Sequence, residues 1–408
     1  MITTQFLRDH AKFRGVAIGM KRASRAISLD GVQRLTPAQQ RALEFARARA
    51  VAATPVARQR IEAVAGSTTS PISPSTCSND LAAELVAGVL RRGRVALHFH
   101  PDRLLADGLT VVESLHRDGV YRSQFETRIS NGGLTAMPGG DRDRWEKELF
   151  GGAFQKPGGL PSERPKYGAL DLARHADGPA PRFGSCYLRL RPSALDRCTL
   201  LCGDTFLQRG DVGTMDAALP VLAGLLEAVA GDGWRLGHER LDVEALVRLL
   251  LAGPPIEPFN GRPGRALDEY VEVQVHGDVR LIEDVELLVA DPSFRDDATG
   301  QRLRELAAGY GFALHWHQGF ELEVDRIPAD FRDPVMPELG LRLQRDFPAA
   351  LGSAGSAASR LDAAMIGRGA ASVNLEPDRW ADLGCPAEVL QYLKQLWHVL
   401  VRYGRPAS

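Results

Sequence analysis

The stretch Asp268–Gly277, DEYVEVQVHG, alternates polar and apolar side chains in the pattern of a β-strand. Successive side chains of a strand point to opposite faces, so we expect Glu272, Gln274 and His276 on one face. The valines that alternate with them are expected to face an apolar core. A glutamate, a glutamine and a histidine backed by valines predict a strand that lines a polar cleft. The alternative is a half-exposed edge strand.

A second strand is predicted by Arg94–Arg103, RVALHFHPDR, which ends in four polar side chains. His98 and His100 share one face of this strand, and Asp102 follows them if the extended chain continues past the proline. Two histidines at this spacing on a strand are a known way to hold a divalent metal.

Two further patterns leave a metal site open. FALHWH, residues 312–317, repeats the spacing with His315 and His317, so two strands together predict a four-histidine site of a metal-dependent hydrolase. The alternative is that these histidines are hydrogen bonded to carbonyl groups at strand ends. Cys198 and Cys202 are compatible with a zinc pair, but two thiols on one strand face are the simpler interpretation.

Composition excludes several function classes. The 408 residues contain 50 basic and 51 acidic residues, and this balance of charge favours neither nucleic acid nor an anionic membrane. The five cysteines form no CxxC pair, which indicates reduced thiols. No apolar run is long enough to span a bilayer, and the amino terminus lacks a secretory signal. We therefore expect a cytoplasmic protein, or one exported without a classical signal peptide.

The chain divides into three predicted regions. Residues 1–80 form a helical N-terminal region that ends in a linker rich in Ser, Thr and Pro over residues 66–80. Residues 81–330 carry a mixture of strands and helices, which predicts an α+β core. Residues 331–408 form a helical C-terminal extension.

Several local signals predict where elements begin and end. Thr36 caps a helix that begins at Pro37, and Ser78 or Asn79 caps the helix after the linker. A further helix begins with the capping box of Thr110 and ends at a glycine. The segments 183–192 and 197–206 have strand composition and are predicted to pair as a hairpin, and residues 320–327 are predicted to be a strand.

A glycine-rich region, residues 121–154, contains the turns Asn131–Gly133 and Gly139–Gly140 and ends in LFGGAF. Glycine allows the backbone to approach a ligand closely and exposes amide donors. The region matches neither a phosphate-binding P-loop nor a dinucleotide fingerprint. It is therefore a weak signal for a ligand site.

The motifs HFHPDR, SQFETRISNGGLTA, LFGGAF, KYGALDL, FGSCYLRLRP, YVEVQVHG and DPSF occur in this order. The series resembles the mono-ADP-ribosyltransferase fold in its poly(ADP-ribose) polymerase-like form. It is closer still to a bacterial family once listed as a domain of unknown function, some of whose members are effectors that ADP-ribosylate host ubiquitin on a threonine. The resemblance covers about residues 85–330, and the end of the chain more weakly.

The resemblance implies an α+β fold with a split β-sheet core and helical additions. It implies a glycosyltransferase-class enzyme that uses NAD as a substrate, releases nicotinamide and modifies a protein acceptor on a Thr or Ser hydroxyl. Ubiquitin is the acceptor known in the family, and a bacterial effector or toxin is the implied role in post-translational modification. No metal is implied. A catalytically inactive module that binds NAD or a partner is the other alternative.

The family's catalytic aspartate and glutamate best match Asp102 and Glu272, with Glu269 as the competing glutamate. The strand pattern favours Glu272, because Glu269 is expected on the valine side. The implied cofactor contacts are His98, His100, Arg103, Phe154, Tyr167, Ser185 and Gln274. Phe154 stands where a tyrosine of the family usually stacks on nicotinamide.

The chemistry explains why carboxylates are expected. Cleavage of the bond between nicotinamide and ribose develops positive charge on the sugar, as in glycoside hydrolysis. A carboxylate held beside the ribose stabilises that charge and can orient the sugar through its 2′-hydroxyl. We assign this role to Glu272. Asp102 is expected to grip the nicotinamide amide or the ribose, or to accept a proton from the acceptor hydroxyl.

Overall fold

The structure is a computed structural model that describes residues 35–67, 80–129, 136–205, 210–252, 263–348 and 360–407. The helices in these residues are α1 Pro37–Gly66, α2 Leu81–Arg92, α3 Val111–Asp118, α4 Gln124–Thr127, α5 Asp141–Leu149, α6 Leu219–Glu227, α7 Val243–Ala252, α8 Leu281–Asp284, α9 Ala298–Tyr310, α10 Met336–Asp346, α11 Ala363–Leu375 and α12 Pro386–Tyr403. The strands are β1 Arg94–Phe99, β2 Val120–Tyr121, β3 Lys166–Asp171, β4 Cys186–Leu190, β5 Cys198–Cys202, β6 Val212–Thr214, β7 Val271–Val275, β8 Val279–Arg280, β9 Val285–Ala290, β10 Ala313–Trp316, β11 Leu322–Glu323 and β12 Arg360–Leu361.

Eight of these strands form one sheet in the order β10-β9-β4-β1-β3-β7-β5-β6. All neighbours are antiparallel except β9 and β10, which are parallel. A mostly antiparallel sheet surrounded by helices confirms the predicted α+β class. The core is one continuous series of hydrogen-bonded strands, whereas the resemblance implied a sheet divided into two parts.

The strand register places the two sequence motifs near one another at the centre of the sheet. Ala96 of β1 is paired with Ala169 of β3, and Ala169 is in turn paired with Glu272 of β7. Leu201 of β5 is the partner of Glu272 on the other side. The glutamate therefore lies two strands from the first motif, with β3 between them, and well inside the sheet.

The predicted alternation along β7 is confirmed. Val271, Val273 and Val275 belong to the main apolar core, while Glu272 faces the opposite side with the polar residues of the strand. The same core includes Ile61 of α1 and reaches Val401 of α12. One apolar core thus crosses both predicted region boundaries, near residues 80 and 330.

Several local predictions are confirmed because short-range hydrogen bonds decide them. The Thr36 hydroxyl caps α1 in a capping box with Gln39, and Thr110 does the same for α3 with Glu113. The α2 helix is capped by Asp80, whose carboxylate accepts from the Ala83 N–H at 3.0 Å. The alternative caps Ser78 and Asn79 lie outside the described residues, as does the linker over 68–79.

The predicted hairpin is wrong. β4 lies between β1 and β9, and β5 lies between β7 and β6, so three strands separate them in the sheet. Both edges of each strand are filled by other partners, which are β1 and β9 for β4 and β7 and β6 for β5. Residues 192–197 between the two strands form a 3₁₀ helix. The strand expected over residues 320–327 is also shorter than predicted, because only Leu322–Glu323 is extended before a 3₁₀ turn.

None of the described helices combines the length and apolar character needed to cross a membrane.

Gly168 allows β1 and β3 to approach closely, and Gly168→Ala is expected to destabilise the protein. A Cβ atom at this position would lie 2.5 Å from the Ala96 carbonyl oxygen and 2.7 Å from Leu97 Cδ2. Overpacking of this kind costs about 1–3 kcal/mol in unfolding free energy. Chemical denaturation should detect the loss. Gly66→Ala is the control, because no atom lies within 4 Å of the added carbon there, and equal stability of the two variants would contradict the argument.

Candidate functional site

A cavity of about 500 Å³ opens above the sheet where β1, β3 and β7 lie side by side. The helices α3, α4 and α5 and the strand β2 form one wall. The opposite wall consists of α12 and the segment Ala180–Phe183, with Asp268 and Arg332 beside it. We call this space the central cavity. Its volume is within the range of small-molecule binding sites.

Glu272 is a buried carboxylate in the wall of the central cavity. The Thr205 hydroxyl donates to its Oε1, and the Thr205 backbone N–H donates to Oε2 at 3.3 Å. Gln274 also donates from Nε2 to Oε1 at 2.7 Å, and its own carbonyl accepts from the Thr199 hydroxyl at 2.7 Å. A buried charge needs such donors, so the chain positions the carboxylate rigidly.

Burial and, after it, the nearby Asp204 carboxylate raise the pKa of Glu272 to about 7. Asp204 also lines the cavity and accepts a hydrogen bond from the Tyr270 hydroxyl at 2.9 Å. The Arg142 guanidinium opposes these effects and lowers the pKa of Glu272. The cavity therefore contains a glutamate that changes its charge near neutral pH, a common property of catalytic carboxyl groups.

Tyr167 of β3 lines the central cavity and is held from two sides. Its hydroxyl donates to Glu146 Oε1 at 2.9 Å, and the Arg142 guanidinium lies 4.3 Å from its ring centre. Glu146 is paired with Arg164 at 2.6 Å, and Arg164 is paired with Asp143 at 2.5 Å. This buried network of α5 and the start of β3 fixes the aromatic ring in the wall.

His98 and His100 line the cavity, but both are neutral, because burial lowers the pKa of each to about 3. His98 accepts from the Ala180 N–H at 3.3 Å, and its Nδ1 lies 3.4 Å from the Gly184 carbonyl oxygen. His100 Nδ1 lies 3.3 Å from the Ser185 hydroxyl. The Gly184 contact of His98 fits the alternative of strand-end histidines bonded to carbonyl groups, whereas His100 contacts a side-chain hydroxyl instead.

The four-histidine metal site is not formed by the residues that the structure describes. His315 is exposed, whereas the buried His317 accepts from the Gly319 N–H at 2.9 Å and lies 3.2 Å from the Ser185 carbonyl oxygen. Among the described residues, no three His, Cys, Asp or Glu side chains are close enough together to hold a metal ion. Cys198 and Cys202 are buried in the main core, so the interpretation as thiols on one strand face is confirmed.

Asp102 does not line the central cavity, although its neighbour Arg103 does. A Cβ atom at Gly367 of α11 would contact the Asp102 carboxylate, so this side chain is turned towards α11. Burial raises the pKa of Asp102 to about 7, and the Asp297 carboxylate adds to the effect. The structure therefore brings Glu272, and not Asp102, to the cavity.

Three other predicted contacts lie behind the wall rather than in it. Phe154 packs in a small apolar cluster and stacks on the ring of His276, with their centres 6.3 Å apart. Gln274 and Ser185 are buried and orient Glu272 and His100, respectively. These side chains support the site without reaching it. Tyr167, His98, His100 and Arg103 are the predicted cofactor contacts that do line the cavity.

Glu269, the competing glutamate, precedes β7 and does not reach the cavity. Its carboxylate accepts from the Arg235 backbone N–H at 2.6 Å. The strand argument that favoured Glu272 is consistent with this placement.

The wall of the central cavity is strongly basic, although the whole chain contains nearly equal numbers of basic and acidic residues. Its lining contains seven Lys or Arg side chains and three Asp or Glu side chains. Several buried polar atoms of its lining residues also lack a hydrogen-bond partner among the described residues: Gln124 Oε1, Arg142 Nη1, Arg182 Nε and Gln395 Oε1. Buried polar groups without partners are rare in native proteins, so these atoms indicate a polar ligand, and the excess of cations in the lining indicates an anionic one.

Sequence reasoning missed several residues of the wall. Arg142 and Asp204 lie close to Glu272, whereas Arg182, Arg332 and Lys394 line the cavity on the side of α12. The last two fall in the region that was predicted to be a helical extension. The only sequence signal is the amphipathic pattern of α12, whose polar side chains share one face and indicate that this helix packs over another part of the protein.

Fold and site together define an α+β protein with a basic cavity and a buried glutamate in its wall. The chain matches the model of a family described as "Protein of unknown function (DUF3626)" over residues 94–403. The match covers more than half of the chain, which therefore belongs to this family. It begins at the first residue of β1 and ends at the last residue of α12, so it includes both sides of the cavity. A search of curated proteins gives no match.

Glu272→Gln is expected to stabilise the folded protein at alkaline pH. Burial raises the pKa of Glu272 from 4.5 to about 7, so the folded state binds this proton more tightly than the unfolded state does. The free energy of unfolding of wild type therefore decreases as the pH rises through this range. Glutamine stays neutral at every pH. The melting temperature of the variant minus that of wild type should therefore increase by roughly 2–4 °C from pH 5 to pH 8. Glu269→Gln is the control, and the same rise in that variant would contradict this interpretation.

Proposed function

We propose that this protein is an NAD-dependent mono-ADP-ribosyltransferase that transfers ADP-ribose to a protein side chain, a Thr or Ser hydroxyl, and releases nicotinamide. The observation that carries the proposal is the placement of Glu272. It is a buried carboxylate with a raised pKa, held on an interior strand of the sheet in the wall of a basic cavity. The sequence resemblance assigns the catalytic glutamate to the same residue.

Glu272 would act on the ribose. When the bond from nicotinamide to ribose breaks, its carboxylate stabilises the positive charge that develops on the sugar, and it accepts a hydrogen bond from the 2′-hydroxyl. The Thr205 and Gln274 donors hold the carboxylate in place before the substrate binds. Preorganisation of this kind avoids a cost of reorganisation during the reaction.

The aromatic side chains of the cavity support the binding of nicotinamide. Tyr167, which lines the wall, takes the stacking role in place of the buried Phe154. A planar cation, the Arg142 guanidinium, already lies over the Tyr167 ring. The nicotinamide ring of NAD is also a planar cation, and aromatic faces attract such groups.

Asp102 is proposed as a positioning residue rather than as a second catalytic acid. Its negative charge lies near the guanidinium of Arg103, which lines the cavity. The turn that holds both residues is fixed by the start of α3, where the Val111 N–H donates to the Arg103 carbonyl at 2.9 Å and the Val112 N–H to the Pro101 carbonyl at 3.0 Å. Asp102 would thus help to orient Arg103 towards a phosphate.

The identity of the acceptor rests on the resemblance alone, and so does an effector or toxin role. Ubiquitin is the acceptor that the resemblance suggests. The hydrolase alternative finds no support in the described histidines, because they do not converge on a common point. The inactive binding module is the alternative that activity measurements decide.

Glu272→Gln is expected to abolish ADP-ribose transfer. Loss of a carboxylate that stabilises the transition state typically lowers the rate by about 100-fold or more. Purified protein is incubated with labelled NAD and a cell lysate, with and without chelator, and label in protein and released nicotinamide are measured. Glu269→Gln is the matched control and should keep activity.

Each result of this assay has a distinct meaning. Transfer that survives the chelator and disappears only in Glu272→Gln supports the proposal. Transfer that is equal in both glutamine variants contradicts the role of Glu272. Binding of NAD without any release of nicotinamide would indicate the inactive module instead.

The reaction rate is expected to rise with pH towards a plateau. Glu272 must be ionised to stabilise the ribose cation, and its pKa is raised to about 7, so protonation at lower pH removes the active form. Initial rates of nicotinamide release between pH 5 and pH 8 test this. Asp204→Asn removes a like charge beside Glu272 and should move the rise to lower pH. A rate that is constant over this range in wild type would contradict the assignment.

A further inference from the structure

We propose that Arg103, Arg182, Arg332 and Lys394 form a subsite for the pyrophosphate group of a nucleoside diphosphate, with the C-terminal helix α12 as one of its sides. All four residues line the central cavity. The inference deepens the proposed function, on which the identity of the ligand rests, by assigning one part of the cavity to the charged centre of the dinucleotide.

The four cations lie near one another. The charges of Arg182, Arg103 and Arg332 each act on Lys394, and together with burial they lower the pKa of Lys394 to about 8. Asp204 is the carboxylate that acts on Lys394 in the opposite direction. Asp102 is the carboxylate that acts on Arg103. Repulsion between clustered cations destabilises the empty site, and a bound anion relieves it.

Asp268 holds two of these cations in the absence of a ligand. Its carboxylate pairs with Arg182, and it lies 3.5 Å from an Arg332 nitrogen. The Asp268 side chain is 60% exposed, whereas the Arg182 side chain is 16% exposed. An exposed ion pair contributes little free energy, so a phosphate group can replace Asp268 as the partner of both guanidinium groups.

Polar groups beside the cations support the same conclusion. Arg182 Nε, a donor, is buried without a hydrogen-bond partner in the part of the chain that the structure describes, and the buried His398 ring lies beside Arg182. His398 is 3% exposed and neutral, because burial lowers its pKa to about 2. A neutral imidazole offers one N–H donor, and such a donor beside cationic groups is suited to a phosphate oxygen.

The position of the cluster favours a dinucleotide over a simple anion. Asp204 connects the two parts of the cavity, because its charge acts both on Lys394 and on Glu272. A ligand with its pyrophosphate at the cations can therefore extend towards the glutamate. The volume of about 500 Å³ is also far larger than inorganic pyrophosphate requires.

Calorimetric titration of the full chain with ADP-ribose, ADP, inorganic pyrophosphate and adenosine tests the subsite. We expect ADP-ribose and ADP to bind, inorganic pyrophosphate to bind more weakly, and adenosine to give no measurable heat. Binding that weakens as salt increases is also expected. Equal binding of adenosine and ADP, or no binding of either diphosphate, would overturn the proposal.

Charge-neutral variants locate the subsite. Lys394→Gln and Arg332→Gln should each weaken ADP binding roughly 10- to 100-fold, as expected for the loss of a charge-assisted hydrogen bond. Asp268→Asn should strengthen ADP binding, since it releases the two arginines. Arg326→Gln is the matched control, because this exposed arginine lies outside the cavity lining. A stronger affinity cannot result from misfolding, so Asp268→Asn keeps the test decisive if the other variants unfold.

The same variants separate this inference from the proposed function. If ADP binds as expected but wild type transfers no ADP-ribose, the subsite stands and the proposed function fails. If wild type transfers ADP-ribose while Lys394→Gln and Arg332→Gln keep an unchanged KM for NAD, the proposed function stands and the subsite is overturned.

Discussion

The burial of the Glu272 carboxylate in the middle of an eight-stranded sheet is the constraint on which the structure of the site depends. A charge in this position is costly unless donors surround it. Thr205 supplies two of these donors and Gln274 a third, and Gln274 is held in turn by the Thr199 hydroxyl. These hydrogen-bonded polar side chains all belong to β5, to β7 and to the residues that follow β5. The raised pKa of Glu272 shows that the compensation is incomplete, as in many sites that trade stability for function.

The two faces of β7 explain why fold and site are inseparable. The valines of one face lie in the main apolar core, which extends from α1 to α12. The polar side chains of the other face support the cavity. Since the side-chain period of a strand is two, a register shift of one residue would place the glutamate in the apolar core and a valine in the site. The many apolar contacts of the valine face therefore determine the position of the carboxylate.

Local features of the sequence predicted much of this structure, and non-local pairing explains most of the failures. The alternation along β7 and the capping boxes of Thr36 and Thr110 depend on neighbours in the chain. The hairpin of β4 and β5 failed because strand pairing over long separations leaves no trace in one segment. Phe154 lies after two glycines, a pattern typical of ligand loops, yet its ring stacks on His276 inside the protein. Asp102 was assigned by motif alone, and its turn directs it towards α11.

The basic wall of the cavity could not be predicted, because its seven cations come from widely separated parts of the chain. A single contact shows how the fold connects two of those parts. The Trp397 indole of α12 donates to the Pro181 carbonyl at 2.8 Å. Pro181 directly precedes Arg182, and Trp397 follows Lys394 by three residues. Trp397 is also in edge-to-face contact with His100 of the first motif. The C-terminal helix α12 thus contacts directly the segment that carries Arg182 and the end of β1. The family match, which continues to residue 403, includes this helix.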